Sequence, residues 1–340
     1  MFSRARVIVL MLGCLSLWAR AETQSGAEQG LEPDVAACME QALADSDPSM
    51  TLGELEEECR IELGYLPKEK RSEARERFAM EMRTAWNPFV ITPHNANYIL
   101  PYSYVWDPHE DPYETEYPGE DIDSEEAKLQ ISLKVPINNR DLLVENDAVY
   151  FAFTLKAFWQ VYNHDISAPF RETNYRPELY YLMPISNLFD NADSAVAFGI
   201  EHESNGRSQP LSRSWNRIFV NYYFAKDNYL ISFRPWYRIP EDEKDDPNDA
   251  KGDDNPDIEK YMGHFELMGT WEQNRYEFSL MLRNNLNRPN HGALRLDASF
   301  PIWGRLRGVI QYFNGYGESL IDYDHRIERL GVGILLTDML

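Results

Sequence analysis

The sequence predicts an all-β protein: a twelve-stranded antiparallel transmembrane β-barrel behind a short N-terminal periplasmic helical extension. Three observations carry this reading. From Asn97 onward, short segments alternate apolar and polar residues between clusters of Gly, Pro, Asn and Asp. The connections fall into two classes, long polar loops and tight turns such as Lys226-Asp227-Asn228, Glu272-Gln273-Asn274 and Pro301 to Gly304. Bacterial barrels keep their turns short on the periplasmic side and their loops long outside. Finally, the chain opens on an export signal. No run approaches the roughly 18 apolar residues of a membrane helix, and the mean hydropathy is -0.53. Both fit a membrane barrel, in which lipid-facing and lumen-facing residues alternate and dilute each other.

Taken in order, Arg4 and Arg6 precede an apolar run from Val7 to Trp18, and Ala19-Arg20-Ala21 supplies a small-x-small cleavage site. Residues 1–21 are therefore expected to be a signal peptide. Cys14 follows Leu12-Gly13, but position 11 is Met and the apolar run continues past it, so cleavage is favoured over lipidation. Removing this segment removes Arg4, Arg6 and Arg20 and no acidic residue, so the formal charge of -23 becomes -26. That excludes nucleic acid as a natural partner. Residues 22–90 are rich in Ala, Glu, Leu and Arg with helical patterning, and read as a periplasmic helical extension. Its Cys38 and Cys59, exported to an oxidising compartment, are the simplest disulfide pair.

Residues 91–340 form the barrel domain, with predicted strands at 97–106, 126–136, 148–163, 177–184, 194–204, 214–224, 229–238, 259–271, 275–284, 292–300, 305–314 and 326–340. The rule of short periplasmic turns puts loops 107–125, 164–176, 205–213, 239–258, 285–291 and 315–325 on the outer side, so Ser167, Arg207, Ser212 and Asp254 share one rim. A soluble β-sandwich would explain the strands. It would not explain the loop asymmetry.

The informative stretch is VAFGIEHESNGRSQPLSRSWNRIFV, from Val196 to Val220. At a period of two, Val196, Phe198, Ile200, His202 and Ser204 share one face, so an apolar face ends in a histidine and a serine. After the polar loop, Ser214, Asn216, Ile218 and Val220 resume it, which places Asn216 beside His202 in an antiparallel pair. A histidine can take the proton of a serine hydroxyl that attacks an ester, while an amide fixes the imidazole tautomer without burying a charge in lipid. Glu201 and Glu203 fall on the lumen face. A passive porin or structural barrel has no use for such a set on a lipid-facing surface, and a barrel protease would carry its acidic and histidine residues at the mouth.

The segment HESNGRSQPLSRSWNR resembles the signature of the outer membrane phospholipase A family. PFRETNY (169–175), DDNPDI (253–258), KYMG (260–263) and GYGESLIDY (315–323) resemble its other blocks, in the same order, across 87–340. The resemblance implies hydrolysis of phospholipid acyl esters (A1, A2 and lysophospholipase) by His202, Ser204 and Asn216, in the outer membrane of a Gram-negative bacterium. It also implies that the N–H of Gly206 helps hold the oxyanion, and that Ca²⁺ is bound by the Arg207 carbonyl, the Ser212 hydroxyl and the carbonyl of Ser167 of the partner subunit in an active homodimer. Asp254 matches a further calcium-associated aspartate. Gln209 stands where the family commonly has an acidic residue, which weakens a second calcium site. The rest of the acidic run EDEKDDPNDAKGDDNPD reads as a solvated loop and lacks EF-hand spacing. The remaining histidines show no zinc spacing.

Overall fold

The computed structural model describes residues 33–43, 52–63, 73–84, 87 and 90–337, apart from 115, 139, 169, 186–191, 247–248, 250 and 305. The expected signal peptide, 1–21, lies outside the described residues. The chain divides into two compact units, Met1–Lys68 and Glu69–Leu340. In the first, α1 (Pro33–Ala42) and α2 (Leu52–Glu62) are joined by a Cys38–Cys59 disulfide, with Val35 and Leu55 buried. The second contains α3 (Glu73–Thr84) and the barrel; Glu81 of α3 pairs with Lys134 at 2.7 Å.

The barrel strands are β2 (Asn97–Val105), β3 (Glu125–Pro136), β4 (Ala148–Trp159), β5 (Glu172–Ile185), β6 (Asp193–Ser204), β7 (Ser214–Lys226), β8 (Tyr229–Ile239), β9 (Phe265–Gln273), β10 (Tyr276–Asn284), β11 (Gly292–Trp303), β12 (Leu306–Tyr316) and β13 (Arg326–Thr337). Each pairs antiparallel with its chain neighbours, and β13 returns to β2, which closes the ring. A two-residue strand, β1 (Thr92–Pro93), adds to β3. At one end tight turns join β7 to β8 and β9 to β10, where Asn274 and Arg275 both take positive φ, while β3 and β4 are joined there by the longer segment 137–147.

Two boundaries differ most from expectation; the predicted strand 148–163 also stops at Trp159, and 292–300 runs on to Trp303. The predicted strand 259–271 begins instead as a short helix, α4 (Ile258–Met262), and only then becomes β9. Ile258 and Met262 are four apart on one helical face, and both bury among Trp215, Trp236 and Leu320 inside the barrel. Gly263, at φ +69°, ends the helix. The fourth predicted strand starts at Glu172 rather than 177: Pro177 pairs opposite Phe153 of β4, while the ladder to β6 passes from Tyr175 to Glu178.

The outer face is an apolar band carrying Ile131, Phe151, Leu179, Phe233, Leu280 and Val332. Exposed aromatics edge it at both ends, Tyr102, Trp106, Tyr162 and Tyr237 towards the loops, Tyr229, Tyr276 and Trp303 towards the turns. Much of the interior is crossed by ion pairs and hydrogen bonds. Glu126 accepts a bidentate pair from Arg171 (3.0 and 3.1 Å) and a bond from Arg329 (2.6 Å), which also reaches Glu318 at 2.8 Å. Lys128 donates to Glu318 at 2.8 Å, while Leu320 and Ile321 of the 315–325 loop are buried. Burying two guanidiniums depends on these carboxylates, so Glu126→Ala should destabilise the barrel by about 3 kcal/mol or more. The temperature at which the folded form is lost on gels in detergent measures it.

Candidate active site

β6 and β7 build the site because their ladder is unbroken to the loop end. His202 pairs with Asn216 and Ser204 with Ser214, with Ile200 opposite Ile218 one same-face step earlier. Alternation does the rest. Phe198, Ile200 and Ile218 are 45, 53 and 49 % exposed, so their face looks outward into the apolar band. His202 is exposed on that same face. Glu201, Trp215 and Arg217 are buried on the opposite face. There Arg217 pairs with both Glu201 and Glu203 and lies 3.7 Å from the Trp215 ring, which stiffens the sheet from behind.

His202 Nδ1 and Asn216 Oδ1 are 2.9 Å apart. Because an amide oxygen only accepts, Nδ1 carries the proton and Nε2 is left unprotonated. Ser204 is the next residue on this face, about 6.6 Å along the strand. Among the described residues no hydrogen bond joins it to His202; such bonds often tighten only around substrate. The Asn216 amide Nδ2 donates in turn to Glu241 Oε1 at 3.1 Å. Asn216 pairs with Ile239, the last residue of β8, and Glu241 follows two residues later, past the strand end and inside the acidic run that the sequence presents as solvated.

The loop after Ser204 is tightly made. Asn205 donates to the Leu211 carbonyl at 2.8 Å and accepts from the Arg213 N–H at 3.0 Å, while Leu211 buries against Tyr113, Ile122, Ile166 and Ile321. Gly206 has φ +65°, and a Cβ there would approach the Tyr175 ring at 3.3 Å, so the turn calls for glycine. Among the described residues no hydrogen bond occupies its N–H. Arg207 sends its guanidinium to Glu116 at 2.8 Å and to the Arg171 carbonyl at 2.5 Å. Partial burial alone would lower its pKa, but Glu116 more than offsets this and holds it above the ordinary arginine value.

Of the expected calcium ligands, Ser212 and Asp254 come together, Ser212 Oγ donating to Asp254 Oδ2 at 2.6 Å. Gln209 donates to Asp254 Oδ1 at 2.7 Å, and Lys244 Nζ lies 2.5 Å from the same oxygen. Nothing in the spacing of the acidic run points to this lysine. Ser167 sits on a separate loop, its carbonyl accepting the Trp159 indole N–H at 2.8 Å.

A closed barrel with an apolar belt, a lumen crossed by ion pairs and its chemistry-bearing groups facing outward at the loop-side edge of that belt defines a class: an integral outer membrane enzyme that works on the bilayer itself. The phospholipase A1 family matches residues 74–336. The phospholipase A1 of Klebsiella pneumoniae is 36% identical over 254 residues, covering 74% of this chain and 84% of that protein. The solved outer membrane phospholipase A from Escherichia coli is 34% identical, with a TM-score of 0.67 over 74% of this chain and 100% of the other. A Salmonella typhi outer membrane phospholipase, solved as a dimer with bound calcium, is 34% identical with a TM-score of 0.69, over 77% of this chain and 98% of that one. This chain belongs to the phospholipase A1 family and is a phospholipase of the Gram-negative outer membrane.

Proposed function

We propose that hydrolysis is carried by Ser204 as nucleophile, His202 as general base and then acid, and Asn216 as the group that orients the imidazole. The observation that carries this is the His202–Asn216 hydrogen bond on an outward face that also bears Ser204. Its height on the barrel supports the reading, since this end of β6 lies level with the loop-side aromatics, where ester carbonyls of a phospholipid lie between headgroup and acyl chain.

His202 Nε2 takes the Ser204 hydroxyl proton as Oγ bonds to the ester carbonyl carbon. The Gly206 N–H, to which the resemblance gives this role, would donate to the resulting oxyanion. Collapse breaks the ester C–O bond, the departing lysophospholipid oxygen takes the proton from His202, and Ser204 is left acylated. Water then repeats the cycle, releasing the fatty acid. The family resemblance extends the proposal to both the A1 and A2 positions and to lysophospholipids.

The oxygens of Ser212 and Asp254, which meet at 2.6 Å, suit a hard cation, and together with the Arg207 carbonyl that the resemblance implies they would hold Ca²⁺. When bound, it supplies positive charge that stabilises the oxyanion. The Ser167 carbonyl retains a free lone pair beside its Trp159 bond, so in a homodimer it can complete the partner's site. In this reading residues 22–90 are an extension and 91–340 carry the enzyme.

The test is fatty-acid release from mixed phospholipid and detergent micelles, with the acyl chains distinguishably labelled. Release of both chains is expected. Release of only the sn-1 chain would overturn the A2 activity, and release of neither the catalytic reading.

A further inference from the structure

Asn216 can orient His202 only if its amide is itself held in one of two nearly isosteric settings. In one, Oδ1 faces His202 Nδ1 and fixes the proton there, so that Nε2 is the base. In the other, the NH₂ faces the imidazole and donates to Nδ1, which drives the proton to Nε2 and removes the base from the side that needs it. A ring of two strands does nothing to choose between them. The neighbour that does is Glu241, whose Oε1 lies 3.1 Å from Asn216 Nδ2. A carboxylate accepts and cannot donate, so flipping the amide would set a carbonyl oxygen against a carboxylate oxygen, losing that hydrogen bond and reversing the one to His202.

From this geometry we infer that Glu241 is a fourth, positioning member of the catalytic array, running Glu241, Asn216, His202, Ser204. The inference rests on the triad reading above and deepens it. Glu241 is well placed to hold still. It follows β8 directly, two residues past Ile239, the residue opposite Asn216. The strand just before it is tied down by Arg238, which reaches Asp253 at 2.5 Å, and the loop just after it by the Asp253 N–H donating to the Asp242 carbonyl at 2.8 Å. The position also resolves a difficulty of carrying out this chemistry in lipid. A carboxylate in contact with the imidazole would lie on the strand within the apolar face, whereas Glu241 lies beyond the strand end, half-buried, and acts through a neutral amide.

The experiment compares Glu241→Ala, Glu241→Gln, Asn216→Ala and the Glu241→Ala/Asn216→Ala double variant, each first shown to be folded by its heat-modifiable migration on gels. Glu241→Ala should lower kcat by about tenfold or more with KM for phospholipid unchanged. Glu241→Gln, which keeps an acceptor oxygen, should recover most of that loss. In the Asn216→Ala background, removing Glu241 should cost nothing further, because its only route to the serine is gone. Wild-type kcat in Glu241→Ala, alongside an impaired Asn216→Ala, overturns the inference and leaves the triad standing. An equal loss from Glu241→Ala in both backgrounds also overturns it, since that is the signature of a merely structural residue. Full activity in Asn216→Ala would instead remove the triad reading on which it rests.

Discussion

Ser204→Ala should lower fatty-acid release by about 10⁴-fold or more, close to the uncatalysed background. The size follows from the role: without Oγ no acyl-enzyme forms, and neither His202 nor the Gly206 N–H can substitute for the nucleophile. Labelling by a sulfonyl fluoride should vanish with activity, because the reagent needs the same activated oxygen. The barrel should survive the change. Ser204 meets β7 and β5 through its main chain, opposite Ser214 and Tyr175, and that ladder is unaffected by loss of a hydroxyl. Asn216→Ala should retain weaker, residual activity, since it loses orientation and not the attacking atom. Full turnover by folded Ser204→Ala would end the mechanism.

The strands were legible in the sequence because each faces two solvents at once. Lipid outside and polar groups inside impose a period of two, and the same alternation that ran from Val196 to Ser204 told which side His202 would face. Where one of those constraints lapses, legibility lapses with it. α4 lies inside the barrel and is apolar on the side it buries, so its five residues read equally as strand. The partners of the site residues were harder still. Lys244 and Glu241 lie in a run crowded with Asp, Glu and Lys, and nothing in composition distinguishes the two that reach Asp254 and Asn216 from the rest. Their placement depends on the path of the loop back to Asp253, which is a tertiary fact.

Calcium removal should be the other large effect: a chelator should reduce turnover to background, and added calcium should restore it. Charge decides the effect. Among the described residues Asp254 is the carboxylate that touches Ser212, and Lys244 and Gln209 already donate to its other oxygen. An arriving cation must therefore compete with an ammonium tethered to the same loop. Lys244→Met should consequently lower the calcium concentration for half-maximal activity, by roughly tenfold if the lost competition is worth about 1.4 kcal/mol, whereas Ser212→Ala should raise it. The same competition bears on assembly. If the Ser167 carbonyl completes the site of the other subunit, calcium binds the dimer more tightly than the monomer, and by linkage it must promote dimerisation to the same degree. Sedimentation in detergent should then show calcium shifting the protein from monomer to dimer, with the Lys244→Met variant shifting at lower calcium. Turnover that persists after exhaustive metal removal would exclude a catalytic ion, and a fully active species that stays monomeric at every calcium concentration would exclude the shared site.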